Sequence, residues 1–259
     1  MTSRTGTPLQ VRYRLPTPTI FSTVASAPPK RLRRAFQCAR LCSVDVLAHR
    51  SAVGPGDKYD LIGALQFGLL TCRLGMREHH YLLDIGCGSL RGGRLFIPYL
   101  QPGHYYGIEP NAGILAAGAR EEVGEEQIAR KRPVFSSDNS FTLSAFGRHF
   151  DYVLAQSIFS HASSKQVRRC LSEAAKVMTD ASCFAATYRP GLVSDDAEGW
   201  VSRDRAAYRP VNVSYRPEDM AKWADEAGLV CEPLDWPHPT QKWLQFKRRP
   251  RSRSTLSRE

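Results

Sequence analysis

The feature that most constrains this chain is a largely apolar run, Tyr81-Leu82-Leu83-Asp84-Ile85, that stops on Gly86-Cys87-Gly88 and passes into a second periodic segment. A short apolar run ended by glycines reads as a buried strand. Two glycines one residue apart let the backbone bend sharply and let a ligand approach the main chain. The segment that follows, to about Leu100, reads as a helix. Strand, glycine bend and helix together open an α/β sheet, in which ligands sit beyond the carboxyl ends of the strands where the strand order reverses.

The remaining sequence keeps this alternation. A helix over 58–74, apolar nearly all round, precedes the bend and ends at Gly75. A second strand is expected over 104–109, followed by a helix that opens at Pro110-Asn111 and runs to about Arg130. A weak third strand covers 133–135 and a strongly apolar fourth 151–155. The next helix places Val167, Leu171, Ala174 and Met178 on one face. A fifth strand covers 182–188. Pro217 starts a helix whose first turn holds Glu218 and Asp219, and Gly228 ends it. Two strands, 229–234 and 242–246, close the pattern. Alternation of this kind predicts a mostly parallel, doubly wound sheet with helices on both faces.

Charge is unevenly placed. The formal net charge is +11 from 36 basic and 25 acidic residues. Residues 1–50 hold nine Lys/Arg against Asp45, and residues 247–259 hold six against Glu259, which leaves 21 basic and 23 acidic residues between them. The basicity therefore belongs to the ends and does not describe a basic groove in the folded part. Residues 1–35 carry no acid and are rich in Pro, Ser, Thr and Arg. The expectation is a basic, largely disordered extension over 1–50, a domain over 51–247 and a basic tail over 248–259. An Arg- and Ser-rich start also has the composition of a transit peptide, although its prolines make a poor amphipathic helix. The longest apolar run, 61–72, is too short to span a bilayer. The seven cysteines, 38, 42, 72, 87, 170, 183 and 231, read as reduced and mostly buried, which suits a cytoplasmic protein. Cys38 and Cys42 have no second pair for zinc, and the third cysteine of a radical-enzyme triplet is replaced by Asp45, so no metal is expected.

Three acids strengthen the glycine bend. Asp84 sits two residues before Gly86. Glu109 ends the second strand, where it can accept hydrogen bonds from both hydroxyls of a ribose. Asp138 follows the third strand, where an adenine amino group could meet it. The pattern Asp84-x-Gly86-x-Gly88 followed by Glu109 resembles the first two motifs of class I S-adenosylmethionine-dependent methyltransferases, and the wording LDIGCGSLRGG…YYGIEPN resembles a bacterial subgroup of small members. The resemblance covers about 59–246 and implies a Rossmann-like seven-stranded sheet with a C-terminal antiparallel hairpin. It implies S-adenosylmethionine as cofactor, with Asp84, Gly86, Gly88 and Ser89 bordering the methionine end, Glu109 the ribose and Asp138 the adenine, and with Cys87 and Gln156 also expected among the cofactor-binding residues. Leu90 stands where a third glycine is common, which leaves the loop shape open. Arg91 is expected to pair with the cofactor carboxylate or to fix the loop through Asp84; an outward-facing helix arginine is the plainer reading.

A nicotinamide dinucleotide is the rival ligand for the bend. Its fingerprint needs a glycine three residues after Gly88, and Arg91 is there. No Tyr-x-x-x-Lys supports hydride chemistry either. After the fourth strand, Gln156-Ser157-Ile158-Phe159-Ser160-His161 occupies the place of the family's substrate-facing motif. It lacks the paired prolines of enzymes that methylate exocyclic amines of nucleic-acid bases. His161 is the candidate general base, since imidazole titrates near neutrality; a histidine here also serves as cofactor wall or helix cap. The aromatic and arginine-bearing segment 190–214, with Trp200 and Tyr208, is expected to cover the substrate. The helix over 58–74 is expected to cover the cofactor, with Gln66 as a polar contact. The functional expectation is methyl transfer to a small-molecule acceptor at an oxygen of a sugar or secondary metabolite. The alternatives are an RNA or protein methyltransferase recruited by its basic ends, and a catalytically silent cofactor-binding domain.

Overall fold

A computed structural model of the chain describes residues 48–192 and 212–249. The basic ends, Cys38, Cys42, Trp200 and Tyr208 lie outside the described residues. Seven strands form one sheet: β1 (Leu82–Ile85), β2 (Tyr105–Ile108), β3 (Val134–Ser136), β4 (Phe150–Ala155), β5 (Met178–Tyr188), β6 (Leu229–Leu234) and β7 (Lys242–Arg248). Their order is β3-β2-β1-β4-β5-β7-β6. The first five strands are mutually parallel, and β7 runs antiparallel to both β5 and β6. From β1 the chain steps outward to β2 and β3, then returns to place β4 on the other side of β1. The order reverses there, at the carboxyl ends of β1 and β4, which is where open α/β sheets take their ligands.

The strand pleat divides the core into two layers. Leu83, Val153 and Phe184 point to one face, where Val167, Leu171 and Ala174 of a long helix cover them. Leu82, Leu154 and Ala185 point to the other, under Leu69, Leu70, Phe96 and Trp243. Successive side chains alternate faces, so strands apolar at every position belong in the middle of a sheet covered on both sides.

The helices are α1 (Ala48–Ser51), α2 (Tyr59–Gly68), α3 (Gly93–Tyr99), α4 (Ala112–Gly118), α5 (Glu125–Lys131), α6 (Ser164–Val177) and α7 (Pro217–Glu226). α2 and α4 each continue as one wide π turn, Leu69–Arg73 and Ala119–Val123. α6 starts with a capping box in which the Ser163 side chain accepts from Gln166 N and the Gln166 side chain accepts from Ser163 N.

Three expectations need correction. The helix expected from Asn111 to Arg130 is broken by the π turn and again at Gly124. Met178 is not on the helix stripe; it opens β5, opposite Phe150, because the last turn of α6 runs directly into an eleven-residue strand. Cys72 is exposed, whereas Cys87, Cys170 and Cys183 are buried and Cys231 lies between.

Candidate active site

The bend after β1 is built on left-handed backbone. Gly86 has φ 69° and Gly88 φ 56°, values that cost an ordinary L-residue about 1–2 kcal/mol. The amides of Gly86 and Cys87 both donate to Ile108 O, at 2.8 and 3.0 Å, which ties the bend to the end of β2. A Cβ on Gly86 would collide with Ile158 Cδ1, and one on Gly88 would lie 2.6 Å from Val53 Cγ1. Leu90 has φ 61° and is fully buried. It therefore adopts the conformation a third glycine would supply, and the burial of its side chain in the α3 layer offsets the strain.

Two carboxylates flank the bend. Asp84 is buried, and its Oδ2 accepts from the Tyr105 hydroxyl at 2.7 Å. Burial pushes its pKa up to about 6, against the opposing effects of the Tyr105 hydrogen bond and the Arg91 charge. Glu109 Oε2 accepts from Gly88 N at 3.0 Å, and its Oε1 accepts from Asn111 N at 2.8 Å. Burial raises its pKa, and these two amides work against the rise. Each carboxylate oxygen keeps a second lone pair, so both remain able to accept a ribose hydroxyl. Ser89 is buried, its carbonyl and Oγ lying 2.8 and 3.2 Å from the Tyr59 hydroxyl. Cys87 is buried with its thiol pKa pushed well up by desolvation, which makes it packing rather than a nucleophile. Asp138 lies in the turn after β3, half-buried, with Ser140 Oγ and Thr142 N donating to its two oxygens at 2.6 and 2.7 Å. Those bonds outweigh desolvation and hold its carboxyl below the usual range.

Arg91 points inward. It is 8% exposed, with Nη1 donating to Val53 O at 2.9 Å and Nη2 to Gln156 Oε1. No bond links it to Asp84, which is committed to Tyr105, so the expected brace through Asp84 is replaced by one through Gln156. Among the described residues Arg91 has no ion-pair partner within 4 Å, and its Nε is buried without a hydrogen bond. Burial depresses its pKa to about 10. Gln156, at the tip of β4, also accepts from Gln66 Nε2 at 2.9 Å, which joins the helix over 58–74 to the end of β4. His161 is half-buried in the turn leading to α6, its amide donating to Ile158 O at 3.0 Å.

The structure adds residues that sequence reasoning missed. His238, from the β6–β7 loop, sits with Nε2 2.9 Å from Gln156 Nε2. Gln241 Nε2 donates to Ser157 Oγ at 2.8 Å, and Thr187 Oγ1 accepts from Ser157 N at 2.7 Å. Ser157 itself has φ 60°. The only sequence signal for His238 was a lone histidine between two prolines, 82 positions from Gln156.

These features fit an adenosyl sulfonium better than a pyrophosphate. The bend carries buried carboxylates at 84 and 109, which repel phosphate and suit hydroxyls and a cation, while the unpaired buried guanidinium suits a carboxylate. The segment 83–184 matches the family model described as a methyltransferase domain. Among solved structures, the chain resembles magnesium protoporphyrin IX methyltransferase from Synechocystis PCC 6803 with bound SAH, at 14% identity and TM-score 0.55, covering 85% of this chain and 99% of that one. It also resembles the DhpI–SAH complex, at 13% identity and TM-score 0.53, covering 84% and 95%. A third is an S-adenosylmethionine-dependent methyltransferase from Clostridium acetobutylicum, at 12% identity and TM-score 0.50, covering 84% and 98%. No curated protein matches by sequence. Fold and site together define the class I, S-adenosylmethionine-dependent architecture. The chain thus carries a methyltransferase-domain match over 83–184 and has the class I methyltransferase fold.

Proposed function

We propose that this methyltransferase moves the methyl group of S-adenosylmethionine onto an oxygen of a small-molecule acceptor. The observation that carries the reading is the bend at Gly86–Gly88 at the sheet's switch point, with Asp84 and Glu109 on its two sides. In this reading Glu109 takes the ribose hydroxyls, Arg91 the cofactor carboxylate, Asp84, Gly86, Gly88 and Ser89 the methionine end and Asp138 the adenine, with Cys87 and Gln156 also lining the cofactor. When bound, the sulfonium supplies an already activated methyl group. The protein's task is alignment and exclusion of water, and good alignment can supply roughly 7–11 kcal/mol of the barrier. His161 accepts the proton of a hydroxyl acceptor at an imidazole nitrogen.

A small acceptor is favoured by the residues around the mouth. Val213 N donates to Ser160 O at 2.8 Å, and Gly191 N donates to Tyr215 O at 3.1 Å. The two ends of the segment 190–214 are thus held side by side next to the turn bearing His161, where a covering segment belongs. The mostly neutral charge between residues 51 and 246 gives no basic track for a polymer. Among the described residues no helix is long and apolar enough to cross a membrane; a cytoplasmic site of action agrees with the free cysteines.

The test is binding followed by turnover. S-adenosylhomocysteine should stabilise the protein and NAD should not. His161→Ala should slow methyl transfer by about a hundredfold or more while cofactor binding persists. Unchanged turnover would remove His161 from the mechanism.

A further inference from the structure

We propose that His238 and Gln156 form a paired N–H donor site that reads a carboxylate on the methyl acceptor. The inference rests on the methyltransferase reading above and names the acceptor's class. The loop carrying His238 is anchored at both ends: Trp236 Nε1 donates to Leu65 O at 2.9 Å and Trp243 Nε1 to Pro237 O at 3.3 Å. His238 Nδ1 accepts from the amides of Gln241 and Thr240 at 2.9 and 3.2 Å. A backbone amide can only donate, so Nδ1 carries the lone pair and the ring proton sits on Nε2.

The Gln156 amide is oriented just as firmly. Its Oε1 faces Arg91 Nη2, which can only donate, and also accepts from Gln66 Nε2. Its amino group is therefore turned outward, to Ser157 Oγ at 2.5 Å and to His238 Nε2 at 2.9 Å. Two N–H donors meet there with no lone pair between them. Ligand-borne oxygen is what completes such a pair. Behind it stands the Arg91 guanidinium, nine-tenths buried, with an unpartnered Nε. The cluster of Gln66, Arg91, Gln156, Ser157, His238 and Gln241 holds one positive charge and no carboxylate. Ser157 and His238 are half-buried, so its outer edge is reachable from solvent.

Burial and the Arg91 charge press the His238 pKa down to about 4, which keeps the ring neutral and makes it a fixed donor rather than a base near pH 7. With Arg91 given to the cofactor carboxylate, the two planar donors, the Gln156 amide and the His238 imidazole 2.9 Å apart, suit the two coplanar oxygens of a carboxylate, held through N–H bonds of the kind a charged acceptor shortens and strengthens. His238 thus determines specificity, and proton removal stays with His161.

The experiment uses the full chain, labelled with 15N at histidine and glutamine side chains. The protein is first saturated with S-adenosylhomocysteine, followed by calorimetry, then titrated with benzoate or with benzyl alcohol as the uncharged counterpart. The expected result is a saturable shift of the His238 Nε2 and Gln156 amide signals with benzoate alone. His238→Phe should weaken benzoate by about tenfold or more, the worth of one hydrogen bond to a charged group. His238→Gln, which restores an N–H donor, should recover it. Absence of a saturable response, equal affinity in His238→Phe, or an equal response to benzyl alcohol overturns the proposal. Benzoate that displaces S-adenosylhomocysteine also overturns it, since the anion then occupies the cofactor's carboxylate place at Arg91. Failure of S-adenosylhomocysteine to bind at all instead brings down the methyltransferase reading, and the proposal with it.

Discussion

Glu109 accepts a hydrogen bond from the amide of Gly88 at 3.0 Å, so the carboxylate at the tip of β2 and the glycine bend after β1 behave as one unit. The other oxygen of Glu109 holds Asn111 N, which caps α4 with its own side chain. One side chain thus shapes the bend, starts a helix and faces the proposed ribose.

Glu109→Ala should therefore weaken S-adenosylhomocysteine by about 10- to 100-fold, since hydrogen bonds to a charged group are each worth about 1.5–3 kcal/mol. Glu109→Gln keeps one acceptor oxygen and should lie between the two. Calorimetric dissociation constants for the three proteins check this order.

Asp84 should oppose stability where it serves binding. Its carboxyl pKa rises on folding from 3.8 to about 6 through burial. Between those values the folded protein holds a proton that the unfolded chain has released. Its contribution to stability is complete below about pH 4 and is lost as pH rises through 6. Asp84→Asn, which keeps an acceptor for Tyr105, should raise stability at pH 7 by up to roughly 3 kcal/mol and leave it little changed at pH 4. Melting curves at both pH values, with S-adenosylhomocysteine binding measured in parallel, should show the variant more stable and the cofactor weaker.

Gly86→Ala combines two costs, left-handed backbone at φ 69° and collision with Ile158 Cδ1. A loss of about 2–4 kcal/mol is expected from strain and overpacking together. Adding Ile158→Ala should return the steric share and leave the backbone share. Denaturant unfolding of the double-mutant cycle separates them, and strict additivity would contradict the contact.

The segment before α2 should release on acidification. The side chain of Glu122, in the π turn after α4, is covered, with His49 Nε2 2.8 Å from its Oε1 and Arg50 reaching both of its oxygens at 2.5 and 2.8 Å. Desolvation works against the ionised form, but the bonds from Arg50 and His49 outweigh it and hold the carboxyl below 4.5. A depressed acid stabilises above its unfolded pKa and ceases to do so as pH falls through its folded one. Hydrogen exchange over 48–54 should therefore quicken below about pH 4.5, and Glu122→Gln should show the faster exchange at pH 7.

Much of this architecture was legible because strands buried on both faces cannot hide their composition. The strand 229–234 is observed as expected, and 151–155 is one residue short of β4 at its start. Helix interruptions were not legible, since π turns at Leu69 and Ala119 leave the apolar periodicity nearly intact. The acids at 84 and 109 announced the bend because their spacing is local to two adjacent strand tips. The cluster around Gln156 was opaque for the opposite reason: His238, Gln241 and Thr187 reach it only through the antiparallel placement of β7 beside β5. The inward turn of Arg91 was equally hidden, because its anchor Val53 precedes α2 and carries no motif.

The most direct measurement compares the melting temperature of the full chain with S-adenosylhomocysteine and with NAD, each at 100 times its dissociation constant or at the solubility limit. The account predicts stabilisation of about 2.7 kcal/mol by S-adenosylhomocysteine, lost in Glu109→Ala, and none by NAD. Stabilisation by NAD, with S-adenosylhomocysteine leaving the transition unmoved, would contradict it.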